Sequence, residues 1–99
     1  MTHHEENEKM IYRDRQMKRY QLLKEIYNTY FETNGKGKQV LIDSTDPQDA
    51  LAYKYLEDLE FIGCEQIINV EGSANKYTIT AKGINFIEEG RGKRRGDFQ

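Results

Sequence analysis

The sequence predicts one α+β domain: a long first helix, a short strand, a second helix, a two-stranded hairpin and a short last helix. Three observations predict it. Residues 8–33 contain neither Gly nor Pro, and their apolar side chains recur at spacings of three and four. Asp46-Pro47 opens a second stretch with the same period. Beyond Gly63, Cys64–Val70 is strand-like and Lys76–Thr80 alternates polar and apolar, which suits a hairpin with one buried face. Ninety-nine residues suit one core. A chain of this size buries roughly two-thirds of its unfolded surface, which leaves little room for a deep catalytic pocket.

The first helix carries its stripe on Tyr20, Leu23, Tyr27 and Tyr30, with Leu22, Ile26 and Phe31 beside them. Its first half, residues 8–19, is thinner in apolar groups (Met10, Ile11, Tyr12, Met17) and is expected to project beyond the core. Asn34-Gly35 is a C-cap signal. Gln39 to Ile42 has the length and character of a short strand. Asp46 is placed to cap the second helix, Pro47 suits its first position, and Asp49 complements its dipole. Leu51, Tyr55, Leu56, Leu59 and Ile62 mark its expected buried face, and Gly63 its expected end. Cys64–Val70 and Lys76–Thr80 read as the hairpin strands, with Glu71–Asn75 as the loop between them. Thr80 can cap a last helix through Ile84, Phe86 and Ile87. The domain is therefore expected over residues 8–89, after a disordered stretch 1–7 and before a disordered basic tail 90–99.

The net charge is −2, but its distribution is uneven. Residues 9–38 hold eight basic groups against Asp14, Glu25 and Glu32. Residues 39–90 hold ten acids against Lys54, Lys76 and Lys82. The tail adds Arg91, Lys93, Arg94 and Arg95 against Asp97. Such blocks matter for partners because binding follows local rather than total charge.

Enzyme chemistry finds no support in the motifs. There is one cysteine, Cys64, so an internal disulfide and a Cys-based metal site are excluded. Its place at the start of an apolar strand suggests a small buried hydrophobe. Both histidines lie at positions 3 and 4, so the folded part holds no Cys-His pair. No Gly-rich phosphate loop and no metal-ligand spacing occurs. No cofactor is expected. No apolar run reaches the roughly 20 residues of a membrane span, and no secretory signal core is present, so the cytoplasm is the expected compartment.

Tyr55 to Gly63, with Leu56 and Leu59, resembles the end of the third helix of winged-helix domains, where it leads into the wing. Lys76-Tyr77-Thr78-Ile79-Thr80-Ala81-Lys82-Gly83 is similar to the second wing strand and following phrase in winged-helix regulators of the multiple-antibiotic-resistance and phenolic-acid types. The likeness covers about residues 20–89. It implies a small dimeric DNA-binding transcriptional regulator with a shortened helical half. Only Asp43–Ile62 lies between the first strand and the wing, which is room for one helix and a single turn at Asp43–Asp46. Under that reading duplex DNA would meet Lys36, Lys38, Gln48, Lys54, Asn75, Lys76, Arg91, Lys93, Arg94 and Arg95, and a homodimer would form through Tyr20, Tyr27 and Tyr30 of the first helix. The helix that would enter the groove opposes this, because Asp49, Glu57, Asp58 and Glu60 stand against Lys54 alone. The second reading is a non-enzymatic protein-interaction module, a phage or accessory factor, whose acidic second helix meets a basic partner.

Overall fold

The computed structural model describes residues 2–70 and 72–96, with side-chain surroundings for 8–70 and 72–90. Its elements are α1 (Thr2–Glu32), β1 (Lys38–Leu41), α2 (Pro47–Asp58), β2 (Ile62–Asn69), β3 (Gly72–Ile79) and α3 (Ala81–Gly96). The class is α+β, with three helices and one three-stranded antiparallel sheet in the order β1-β3-β2.

The expected hairpin is part of this larger sheet. β2 and β3 pair in register from Ile62 opposite Ile79 to Asn69 opposite Gly72. Gly72 to Asn75, expected in the loop 71–75, therefore lie within β3. Pairing accounts for the change, since every residue from Gly72 to Ile79 gains a cross-strand neighbour. β1 joins the other edge of β3, from Lys38 opposite Tyr77 to Leu41 opposite Ala74. The chain then makes the single expected turn: the Thr45 amide donates to the Ile42 carbonyl at 3.3 Å, and the Thr45 hydroxyl donates to the Leu41 carbonyl.

Local signals set the helix ends. Asn34 lies in the left-handed region (φ 59°), and the Gly35 amide donates to the Tyr30 carbonyl at 2.7 Å, which closes α1 as its Asn-Gly signal implies. Asp46 caps α2 by accepting from the Gln48 amide at 2.7 Å, with Pro47 next to it. The end of α2 departs from expectation. The helix stops at Asp58, and Glu60, not a glycine, takes the left-handed position (φ 65°). The Phe61 amide then donates back to the Leu56 carbonyl at 3.0 Å. Gly63 belongs to β2 instead. The Thr80 hydroxyl accepts from the Gly83 amide at 3.1 Å and donates to the Glu60 carbonyl at 2.7 Å, so it caps α3 and ties it to the end of α2. Gly83 lies where backbones nearly touch; a Cβ there would stand 2.3 Å from the Phe61 carbonyl oxygen.

Leu22, Leu23 and Ile26 of α1, Leu56 of α2, Ile79 of β3 and Ile87 of α3 are at the centre of the core. Tyr53 stacks on Tyr77, with ring centroids 4.2 Å apart and planes 14° from parallel. Phe61 stacks on Phe86 at 4.8 Å. Residues 9–18 of α1 are all exposed, so that half of the helix extends beyond the core, as its thin stripe predicts. The backbone of α1 is helical from Thr2, and α3 continues to Gly96, so the helices run past the expected boundaries at 7 and 90.

Candidate interaction surface

The face that α2 buries matches its apolar stripe only in part: Leu56 and Ile62 are buried as expected, but Leu51 and Tyr55 are not. Ala52, Tyr53 and Leu56 are buried, whereas Leu51 is 65% exposed and Tyr55 44%. The Tyr53–Tyr77 stack fixes the roll of the helix, because two parallel rings must lie between α2 and β3. Leu51 and Tyr55 are thereby turned toward the flank of α1. A groove of about 530 Å³ opens between the two helices, with Leu51, Ala52 and Tyr55 on one wall and Arg15, Lys18 and Arg19 on the other. It adjoins a second depression of about 270 Å³ that shares Arg19 and Tyr55 and extends to Leu59, Phe61 and Phe86. Phe86 is itself 46% exposed.

Two contacts fix the walls. The Lys18 ammonium lies 3.0 Å from Asp49, and this adjacent carboxylate raises the Lys18 pKa above its ordinary value. The Arg19 guanidinium sits 4.1 Å above the Tyr55 ring, a cation–π contact across the groove.

The expected DNA contacts are distributed differently. Lys38 pairs with Glu25 at 2.5 Å, Lys54 with Asp58 at 3.7 Å and Lys76 with Glu65 at 3.6 Å. Lys82 pairs with Glu60 at 3.5 Å. Asn75 and Lys76 are mid-strand residues of β3, not a wing tip, and the Asn75 amide donates to the Tyr77 hydroxyl at 3.2 Å. Gln48 is exposed in the first turn of α2, and Lys36 is exposed in the connection after α1. The side chains of Arg91, Lys93, Arg94 and Arg95 lie outside the described residues. The acids of α2 are not one bare face either: Asp49 turns to α1, Asp58 to Lys54, and Glu60, just past the helix, to Lys82.

Tyr20, Tyr27 and Tyr30, expected at an interface, are partly buried against the chain's own core. The Tyr27 hydroxyl donates to Glu88 at 2.8 Å, and Tyr27 and Tyr30 both pack on Phe31, at 4.9 and 5.2 Å.

Cys64 corrects another expectation, because it is exposed, not buried. β2 is an edge strand, and residues 63–66 are open to solvent. Partial desolvation first, and then the Glu57 charge, push the thiol pKa up, so the thiolate is disfavoured. Among the described residues no three His, Cys, Asp or Glu side chains group as metal ligands, and no helix is long and apolar enough to cross a membrane.

Comparison of the chain with protein-family profiles, with curated proteins and with solved structures finds no match in any of the three. The sequence missed the groove because Leu51 and Tyr55 read as core. The available signal was the width of the apolar pattern on α2. Leu51, Ala52, Tyr53, Tyr55 and Leu56 are too many for one buried stripe on a 12-residue helix.

Proposed function

We propose that the chain is a non-enzymatic protein-interaction module on a winged-helix-derived frame, with the groove between α1 and α2 as its working surface. One observation carries this reading: on α2, the apolar side chains Leu51 and Tyr55 face solvent while the only lysine, Lys54, lies beside a carboxylate. The other lysines of residues 39–90, Lys76 and Lys82, are paired in the same way. Such surface pairs contribute little to stability, about 0–1 kcal/mol each. Their effect on recognition is larger, because a lysine beside a carboxylate presents little net field to a phosphate. The element order and the strand order β1-β3-β2 support the winged-helix frame, with a turn at residues 42–45 where a further helix would stand.

This favours the interaction module over a DNA-binding regulator. Fluorescence anisotropy with a random-sequence duplex, titrated from low to physiological salt, separates the two. The module reading expects no binding at low salt beyond that of a Lys54→Ala/Lys76→Ala variant. Wild-type binding that falls steeply with salt, and that these substitutions weaken, would establish phosphate contact and remove the module reading.

A further inference from the structure

Resting on the interaction-module reading, we infer that the α1–α2 groove receives an acidic amphipathic helix of a partner protein. The shape of the site selects a helix. Both walls are helices, whose backbone donors and acceptors are already used internally. An extended segment laid between them would find no backbone partners for its own N–H and C=O groups. A helix brings its hydrogen bonds with it and offers only side chains. Leu51 and Tyr55 of α2 and Leu59 at its C-cap follow one another at intervals of four, with Phe61 and Phe86 beyond. That spacing spans about 12 Å at ~1.5 Å per residue, which matches apolar anchors at i, i+4 and i+7 on an incoming helix.

The charge of the rim selects the partner's polar residues. On the α1 wall Arg15 and Arg19 stand against Asp14, while the Lys18 charge is already met by Asp49. Arg19 is held 4.1 Å from the centre of the Tyr55 ring, so its side chain loses less freedom on binding a carboxylate than a free arginine would. Exposed Met17, next to this wall, is an adaptable apolar contact. An acidic helix with an apolar stripe satisfies both features of the groove, and a basic one satisfies only the floor.

The test is to pan a phage-displayed library of 16-residue helix-forming peptides against the full chain. Enriched peptides are expected to carry net negative charge with apolar residues at i, i+4 and i+7. Binding of a synthetic enriched peptide, measured by anisotropy, should fall at least tenfold with Leu51→Asp. The double variant Arg15→Glu/Arg19→Glu should lose that peptide and prefer its Glu-to-Lys counterpart. Gln66→Glu, on the exposed edge of β2, should leave binding within twofold. Far-UV circular dichroism checks that each variant keeps the wild-type fold, which surface positions permit. Failure to enrich, enrichment of basic peptides, or binding indifferent to the groove variants overturns the proposal. A dimer in sedimentation that Leu51→Asp dissolves would assign the groove to a second copy and overturn it too. Leu51-dependent retention on phosphatidylserine vesicles would do the same in favour of a membrane. None of these outcomes bears on the duplex titration, which decides the module reading separately.

Discussion

Replacing Gly83 by alanine places a methyl group where the backbone of Phe61 already stands. The added carbon would lie 2.3 Å from the Phe61 carbonyl oxygen and 2.8 Å from Cγ1 of Ile79. A relaxed carbon–oxygen contact is about 3.3 Å, so the pair must separate by roughly 1 Å. The carbonyl has little freedom to retreat, because it accepts from the Thr80 amide at 3.0 Å. Overpacking of this kind costs about 2–3 kcal/mol. Loss of the hydrogen bond adds about 1 kcal/mol. The better helix propensity of alanine returns about 1 kcal/mol. The net expectation for Gly83→Ala is a loss of about 2–3 kcal/mol, or a midpoint lowered by roughly 10–20 °C in a domain of this size. Gly90→Ala is the matched control, since it lies in the same helix with nothing within 4 Å of the new carbon, and it should gain up to about 1 kcal/mol. Urea and thermal denaturation of the two variants and the parent give the comparison. A Gly83→Ala protein as stable as the parent would refute the close approach of α3 to Phe61.

Three further outcomes are expected. Glu60→Gly should stabilise the domain by about 1 kcal/mol in urea denaturation, because the residue sits in the left-handed region and its pair with Lys82 is exposed. Asp46→Ala should cost about 1 kcal/mol by the same measurement, through loss of the bond from the Gln48 amide. Burial pushes the Tyr53 hydroxyl up to about 12 from an ordinary value of 10. The unfolded chain therefore gives up this proton first, so stability is fully present below pH 10 and declines as pH rises toward 12. Denaturation midpoints across that window should fall less steeply for Tyr53→Phe than for the parent.

Most of the fold was legible from caps and periodicity. Asp46-Pro47, Asn34-Gly35 and Thr80 all act at the helix ends where their chemistry suits them, because a cap satisfies backbone groups within a few residues. The end of α2 was not legible. Gly63 is the residue that chemistry favours for that role, but β2 recruits it opposite Thr78 and leaves the strained position to Glu60. The roll of α2 was hidden for a similar reason. Apolar residues occupy more than one of its faces, and the choice between them rests on Tyr77, 24 positions beyond Tyr53. Cys64 was misplaced because it opens a strand that holds Ile67, Ile68 and Val70, whereas its exposure depends on β2 being an edge strand. The groove inherits this difficulty: Leu51 and Tyr55 belong to it only because Tyr53 does not.

The order β1-β3-β2 also sets a sequence of events in folding. Asn69 meets Gly72 across three positions of chain, while Lys38 must find Tyr77 across 39. Closing the longer loop costs more chain entropy, and that cost precedes any contact that compensates it. The β2–β3 ribbon is thus the local nucleus, and docking of β1 is the late, non-local step that brings the end of α1 onto the sheet. Substitutions at the Asn69–Gly72 end of the ribbon should act on the rate of folding, and substitutions in β1 chiefly on the rate of unfolding.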